Sequence, residues 1–402
     1  MTTTSPATSA DQLFAQVLSP TTRPDPYPTF GRLRELSPAR LSDGTWLVGR
    51  WAQITALLRD PRMSSDRSGS QEDGTPSPPP PFIFRDPPDH DRLRQAAGAD
   101  FTPARLAAMR SAAESIADEI LDRMRSATEV DLVTQLAYPL PVRVICSLLG
   151  VPSSDEPRFH GWASALARSL DPPDTLDPED VAGAEQAARA ILPYFAELVA
   201  RRRGEPQNDL ITGLATEADP PQRLDEADLL ATLMLLLIAG HETTVNLIAN
   251  GALAMLRDEG LRGRLAGEPG LVVTFVEEML RFDPPIQYLP RTARAPIELS
   301  GITIPTGAQI VLLTAAGNRD PDHFSDPDRI VPDRPDNQHL GFGGGTHYCF
   351  GAALARTEAQ VVFERLTHRL QGATLAQDPP PYRDNVALRG PEHLVVRLAS
   401  RG

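Results

Sequence analysis

The chain has 402 residues, 41% hydrophobic and 23% charged, with a net charge of −14. That is ample apolar material for a core, and the acidic balance argues against nucleic acid or an anionic membrane as partner. Two cysteines are too few for a disulfide framework, and all 39 basic residues are arginine, which excludes phosphate-loop lysines, Schiff bases and pyridoxal phosphate attachment.

Residues 1–20 are expected to be a flexible lead-in; Met1 to Ala10 is polar and lacks an apolar signal core. Gly44 to Gly49 has strand character and Trp51 to Leu58 helical character. Ser64 to Asp89 is rich in Ser, Gly, Asp and Pro, and reads either as a linker or as a long functional loop ending in Phe82, Ile83 and Phe84. Asp89 is a good helix cap. His90 and Arg94, four apart, then share a helical face that suits an anionic partner, or simply a solvated helix start. Residues 104–127, 136–150 and 155–203 carry helical periodicity, with breaks at Pro139 and Pro141 and in the turn-rich stretch Asp171 to Pro178.

Asp225 to Asp258 reads as one long helix, with Asp225 capping its start and Gly260 its end. Leu229 to Ile238 is apolar on all sides, so the helix should cross the interior. In its middle stands Ala239-Gly240-His241-Glu242-Thr243-Thr244. Gly240 costs about 1 kcal/mol relative to alanine, and a bond from Thr243 to the Ala239 carbonyl would open the helix into a groove over a flat cofactor. A zinc-protease reading fails because position 245 is valine. Further on, Phe275 to Arg281 is helical. Glu278 and Arg281 can pair on one face, and their apolar flanks imply burial and a need for full satisfaction. Pro290-Arg291-Thr292-Ala293 reads as a strand, Glu298 to Leu313 as a hairpin, Ala352 to Leu370 as a helix and His393 to Leu398 as a strand.

The chemistry concentrates in Gly341 to Gly351. Cys349 stands just before a helix N-terminus, where backbone N–H groups and the helix dipole favour a thiolate. The glycines let backbone lie against something large and flat. Such a thiolate suits a soft metal or a haem iron, whereas a lone cysteine there would read as a small buried hydrophobe.

Phe342-Gly343-Gly344-Gly345-Thr346-His347-Tyr348-Cys349-Phe350-Gly351 resembles the haem-binding loop of the cytochromes P-450, above all the soluble bacterial class. Asp86-Pro87-Pro88-x-His90-x-x-x-Arg94, the acid–alcohol pair Glu242-Thr243 and Glu278-x-x-Arg281 follow the same family's order, so the resemblance spans roughly residues 24–400. It implies one mainly α domain over 1–402, with a small β region, enclosing haem b. Cys349 would be the metal ligand. His90, Arg94, Arg291 and His347 would hold the propionates, with Gly240, Phe342 and Gly351 also against the cofactor. Glu242 and Thr243 would manage water and protons. Arg329, in Asp326-Pro327-Asp328-Arg329, would complete the Glu278–Arg281 pair, although Ile330 stands where the family usually has phenylalanine.

The resemblance also implies monooxygenation by O2 of an apolar or amphipathic small molecule, as hydroxylation or epoxidation in secondary metabolism. The pocket would be lined by residues 76–84, 160–195 and 286–289. No flavin or iron–sulfur motif is present, so electrons should come from a ferredoxin or flavodoxin and its NAD(P)H reductase, docking on a patch with Arg105, Arg110 and Arg356. A cytoplasmic enzyme without membrane attachment is expected. Peroxide-driven relatives carry Arg-Pro in place of the acid–alcohol pair, and a haem sensor without turnover needs no such pair. A cysteine hydrolase using Cys349 and His347 lacks an orienting acid.

Overall fold

The apolar run in the middle of the chain forms the helix its composition demands, Glu226–Arg257, in a computed structural model that describes residues 9–66, 79–98, 101–216 and 224–399. Asp225 caps it, accepting the Asp228 N–H at 2.7 Å. Leu229, Leu233, Leu237, Val245, Ile248 and Leu253 are all buried, so the helix is covered around its circumference. By length and hydropathy it could cross a bilayer, yet 72% of its most apolar window is buried inside the protein. Helices Pro139–Leu149, Glu156–Arg168, Pro178–Gly204, Leu271–Phe282 and Ala352–Arg369 pack against it and give the mainly helical body.

The helix ends at Arg257, short of Gly260. Asp258 terminates it and also caps the next helix, Glu259–Gly267, by accepting the Leu261 N–H at 2.9 Å. The Thr243 hydroxyl does bond the Ala239 carbonyl, at 2.8 Å. The expected opening does not follow, because the helix runs unbroken through Gly240.

The β region comprises small sheets. The largest orders its strands Ala39–Arg40, Trp46–Val48, Gln309–Leu312, Leu289–Ala293 and Met63–Ser64. Trp46–Val48 runs parallel to Gln309–Leu312, and Leu289–Ala293 antiparallel to it, with Arg291 opposite Ile310. The expected hairpin is confined to Ile297–Leu299 and Ile302–Ile304, turning through Ser300 and Gly301, both at positive φ. Gln309–Leu312 leaves it for the large sheet. The lead-in is not flexible from Ala10 on: Ala10–Leu18 is a helix with a Ser9–Gln12 capping box, and Leu13 and Val17 pack beside Phe30 and Leu33. Residues 1–8 lie outside the described residues.

Candidate active site

The glycine-rich stretch folds back on itself so that the Cys349 N–H donates to the Phe342 carbonyl at 2.9 Å. Gly343 and Gly345 have φ of 68° and 62°, and a Cβ at Gly345 would stand 2.0 Å from the Leu58 carbonyl oxygen. Only glycine allows this backbone to lie so close to the neighbouring helix. Helix Ala352–Arg369 starts immediately after Gly351, as the sequence implied. Burial nevertheless pushes the Cys349 thiol up, against the opposing Gly351 N–H and the charges of Arg94 and Arg356. The helix terminus alone therefore does not hold it as a thiolate; a coordinated cation would.

A network that the sequence did not suggest fixes this loop. Arg356, four residues into the helix that follows, donates to both oxygens of Glu277 at 2.7 and 2.8 Å and to the Tyr348 hydroxyl at 3.2 Å. It also lies 4.5 Å from the centroid of the Phe342 ring. His339 reaches Glu277 at 3.1 Å. Burial would raise the Glu277 carboxyl, but the bonds from Arg356 and His339 outweigh it and hold it at about 2. Arg110 pairs with Glu114 and Glu364. With Arg356 also paired, two members of the basic patch expected from the sequence are already neutralised.

One cavity of about 300 Å³ joins most of the implicated residues. Cys349, Phe342, His347, Gly351, His90, Arg94, Arg291, Gly240 and Thr243 all border it. Its other walls are mostly apolar: Phe82, Ile83 and Phe84 from the loop end, Ile286 and Leu289 at the entry to the sheet, and Leu235, Leu236 and Leu247 from the long helix. Asp228, at the start of that helix, accepts from Arg85 at 2.6 Å and Arg92 at 3.0 Å, which pins the loop end in place. Residues 76–78 of the expected lining lie outside the described residues. Of the roof expected over 160–195, only Leu170 reaches the cavity among the described residues. Ala387 and Leu388 take its place. Asp171 holds them there by accepting the N–H groups of Val386 and Ala387.

The polar end of the cavity is a cluster of donors. His90 is 1% exposed, its Nδ1 paired with Asp91 at 2.8 Å and its Nε2 buried without a hydrogen-bond partner among the described residues. Its ring lies 4.2 Å from that of His347. Burial drives His347 down to about 4, and the nearby His90, Arg291 and Arg94 push the same way. At Gly240 a Cβ would make ordinary contact with Ile145, so the glycine relieves no clash.

The structure separates the acid–alcohol pair. Thr243 borders the cavity, whereas Glu242, 3% exposed, points away and is held by Arg383. Thr244, expected to turn about 100° from Thr243, also borders the cavity and bonds the Gly240 carbonyl at 3.3 Å.

Glu278 and Arg281 pair as expected, both 0% exposed, at 2.7 and 2.8 Å. Arg329 is not the third member. Its side chain is exposed, and it contributes only its carbonyl, which accepts from Arg281 at 2.9 Å. The third member is Arg334, whose Nε lies 3.1 Å from Glu278 Oε2. A second Pro-x-Arg, Pro332-Asp333-Arg334, carried the signal. The Val331 N–H and Asn337 complete the Glu278 carboxylate, at 2.8 and 3.2 Å.

Residues 270–396 match the family model for Cytochrome P450. The chain is 38% identical over 390 residues to the vitamin D(3) 25-hydroxylase of Pseudonocardia autotrophica, covering 94% of each chain. The chain belongs to the cytochrome P450 family. A second relative, the mycinamicin IV hydroxylase/epoxidase of Micromonospora griseorubida, is 38% identical over 91% of this chain and 94% of its own. The ligand-free crystal structure of Mycobacterium smegmatis CYP164A2 superposes with a TM-score of 0.89 at 39% identity, covering 96% of this chain and 99% of that one. The fold is the P450 fold, and the enzyme is a haem-thiolate monooxygenase, an oxidoreductase of the kind that uses O2 and a redox partner.

The residues present fit such a cofactor. The unpartnered His90 Nε2, a His347 that neighbouring cations disfavour as a cation, and two arginines converge on one end of the cavity. Anionic groups placed there would supply the missing acceptors. Gly351, with open space where a Cβ would project, and Cys349 border the same space.

Proposed function

We propose that residues 1–402 form one haem-thiolate monooxygenase domain that holds haem b. It would hydroxylate or epoxidise an apolar or amphipathic small molecule in secondary metabolism. Electrons would come from a ferredoxin or flavodoxin fed by an NAD(P)H reductase, in the cytoplasm and without membrane or nucleic acid. The observation that carries this reading is that Cys349 and Thr243, from separate elements, border one cavity whose remaining walls are mostly apolar. The names of the two curated relatives, a 25-hydroxylase and a hydroxylase/epoxidase, support the reaction type.

When bound, the haem supplies the thiolate-ligated iron at which dioxygen is reduced and one oxygen atom is passed to the substrate. Cys349 provides the thiolate. His90, Arg94, Arg291 and His347 bind the propionates with charge-assisted bonds that offset the cost of removing those charges from water. Gly240, Phe342 and Gly351 line the cofactor's space. The apolar walls exclude bulk water and orient the substrate. Thr243 presents a hydroxyl to the cavity, and Glu242, next to it on the helix, connects that hydroxyl to a proton source.

Cys349→His tests the reading. The variant should remain folded but lose product formation, and its reduced carbon monoxide complex should lose the red-shifted Soret band of a thiolate-ligated haem. Persistence of that band would show that Cys349 is not the ligand.

A further inference from the structure

The face of the long helix turned away from the cavity carries a polar cluster around Glu242, of which the proposed function uses Glu242 alone. Glu242 Oε2 accepts from the Arg383 guanidinium, while its Oε1 is buried without a partner among the described residues. His241 is 1% exposed; its Nδ1 lies 3.9 Å from Glu242 Oε1, and its Nε2, the other end of the ring, is also buried and unpartnered. Tyr138, from the start of helix Pro139–Leu149, meets His241 edge to face with centroids 4.5 Å apart, and its hydroxyl is likewise buried and unpartnered. His160, on helix Glu156–Arg168, packs on Tyr138 at 4.0 Å and is itself exposed to solvent.

Seams between helices are ordinarily filled by apolar side chains, and buried polar atoms ordinarily have partners. Here three neighbouring side chains from two elements each leave a buried polar atom unsatisfied among the described residues. Bridging water satisfies such atoms when several converge. The residues form a series from the surface, at His160, through Tyr138 and His241 to the carboxylate of Glu242, the residue that precedes Thr243 on the helix.

Each turnover of a monooxygenase takes R–H, O2, two electrons and two protons to R–OH and H2O. The electrons come from the one-electron carrier and the protons from solvent. We propose that His160, Tyr138 and His241 form the solvent inlet that reprotonates Glu242, with Arg383 as a positioning residue that fixes Oε2 and leaves Oε1 to receive the proton. This rests on the reading of Glu242 and Thr243 as the proton-handling pair. His160 takes a proton from bulk water. The Tyr138 hydroxyl accepts one and releases its own toward His241 Nε2, through water where a gap remains. His241 gives up the proton on Nδ1 to Glu242 Oε1; left protonated on Nε2, it regains its starting tautomer by passing that proton through water to its own Nδ1, while the Tyr138 hydroxyl resets by turning about its C–O bond. Burial lowers His241 to about 4 against the opposing charge of Glu242, with Arg383 and His160 adding to the fall. It therefore rests neutral, with one nitrogen to accept and the other to donate.

The test compares His160→Ala, Tyr138→Phe and Glu242→Gln with the wild-type holoenzyme, using a surrogate ferredoxin and reductase and a compound that shifts the Soret band. Product and hydrogen peroxide per NADPH are measured in H2O and D2O, beside Tm and the Soret shift. His160→Ala and Tyr138→Phe should bind the compound and melt as wild type. They should lose product per NADPH by on the order of tenfold, below the ~10² expected for a direct proton donor because water can bypass a relay. The solvent isotope effect should rise. Independently of turnover, the His160 imidazole followed by NMR should titrate lower in Glu242→Gln. Burial lowers it, the Glu242 charge raises it and Arg383 lowers it, so losing the carboxylate leaves only the lowering influences. An unmoved His160 titration, or normal coupling in both His160→Ala and Tyr138→Phe while Glu242→Gln uncouples, overturns the inlet and leaves the acid–alcohol reading standing. Full coupling in Glu242→Gln removes both.

Discussion

Replacing Arg334 and Arg329 separately decides which arginine completes the buried ion cluster. Arg334 donates to Glu278 and to the carbonyls of Ser325, Asp326 and Arg329, while the Arg329 side chain is exposed. Breaking a buried pair costs about 3–5 kcal/mol. Arg334→Ala leaves Glu278 with Arg281, so the lower figure, about 3 kcal/mol, applies. Spread over an unfolding entropy of about 2.1 cal/mol/K per residue, that is a fall in Tm of roughly 4 °C. Glu278→Ala strands the guanidinium groups of both Arg281 and Arg334 and should reach the upper figure, a fall of roughly 6 °C with poor yield of haem-loaded protein. Arg329→Ala should stay within about 0.5 kcal/mol of wild type, because it removes only surface charge and keeps the carbonyl that Arg281 uses. Thermal melts followed by far-UV circular dichroism, with haem content measured alongside, give the ranking. If Arg329→Ala melts as low as Arg334→Ala, the assignment of Arg334 is wrong.

Thr243→Ala should still bind substrate and consume NADPH, but product per NADPH should fall by about tenfold or more, with hydrogen peroxide rising in its place. Thr244→Ala should fall less; equal losses would give both hydroxyls the same role, since both border the cavity. Glu277 makes a pH prediction. Its folded pKa of about 2 lies below the ordinary 4.5, so its stabilisation is complete above pH 4.5 and is lost as pH falls toward 2. Urea unfolding of wild type and Glu277→Gln at pH 6, 4 and 3 should show the two curves converging in acid. A constant difference would mean that Arg356 and His339 do not hold this carboxylate charged.

The mainly helical fold and the chemistry were legible wherever residues close in sequence carry the function. The loop from Phe342 to Gly351 needs glycines for its own backbone turns, and a helix start follows directly in the chain. Leu229 to Ile238 of the long helix is apolar on every side, so its burial could be read from composition. The hydroxyl-to-carbonyl bond of Thr243 is a matter of helical spacing. Arg334 lay within reach too, because the chain offers Pro-x-Arg at both 327–329 and 332–334; nothing local ranks them, and only the path of the backbone decides which guanidinium turns inward.

Partners distant in sequence were beyond such reading. Arg383 meets Glu242 across 141 positions, and Glu277 meets Arg356 across 79. Which way Glu242 faces depends on how the long helix is rotated about its axis, and that rotation is fixed by packing against Pro139–Leu149, Glu156–Arg168 and Ala352–Arg369 together. Residue types and spacing determined the cysteine loop and most of the secondary elements, and the resemblance carried by that loop implied the reaction class. The tertiary packing decided which polar atoms face the cavity, which face one another and which are left facing a buried seam, because a side chain's direction is set by every element packed against it and not by its own segment alone.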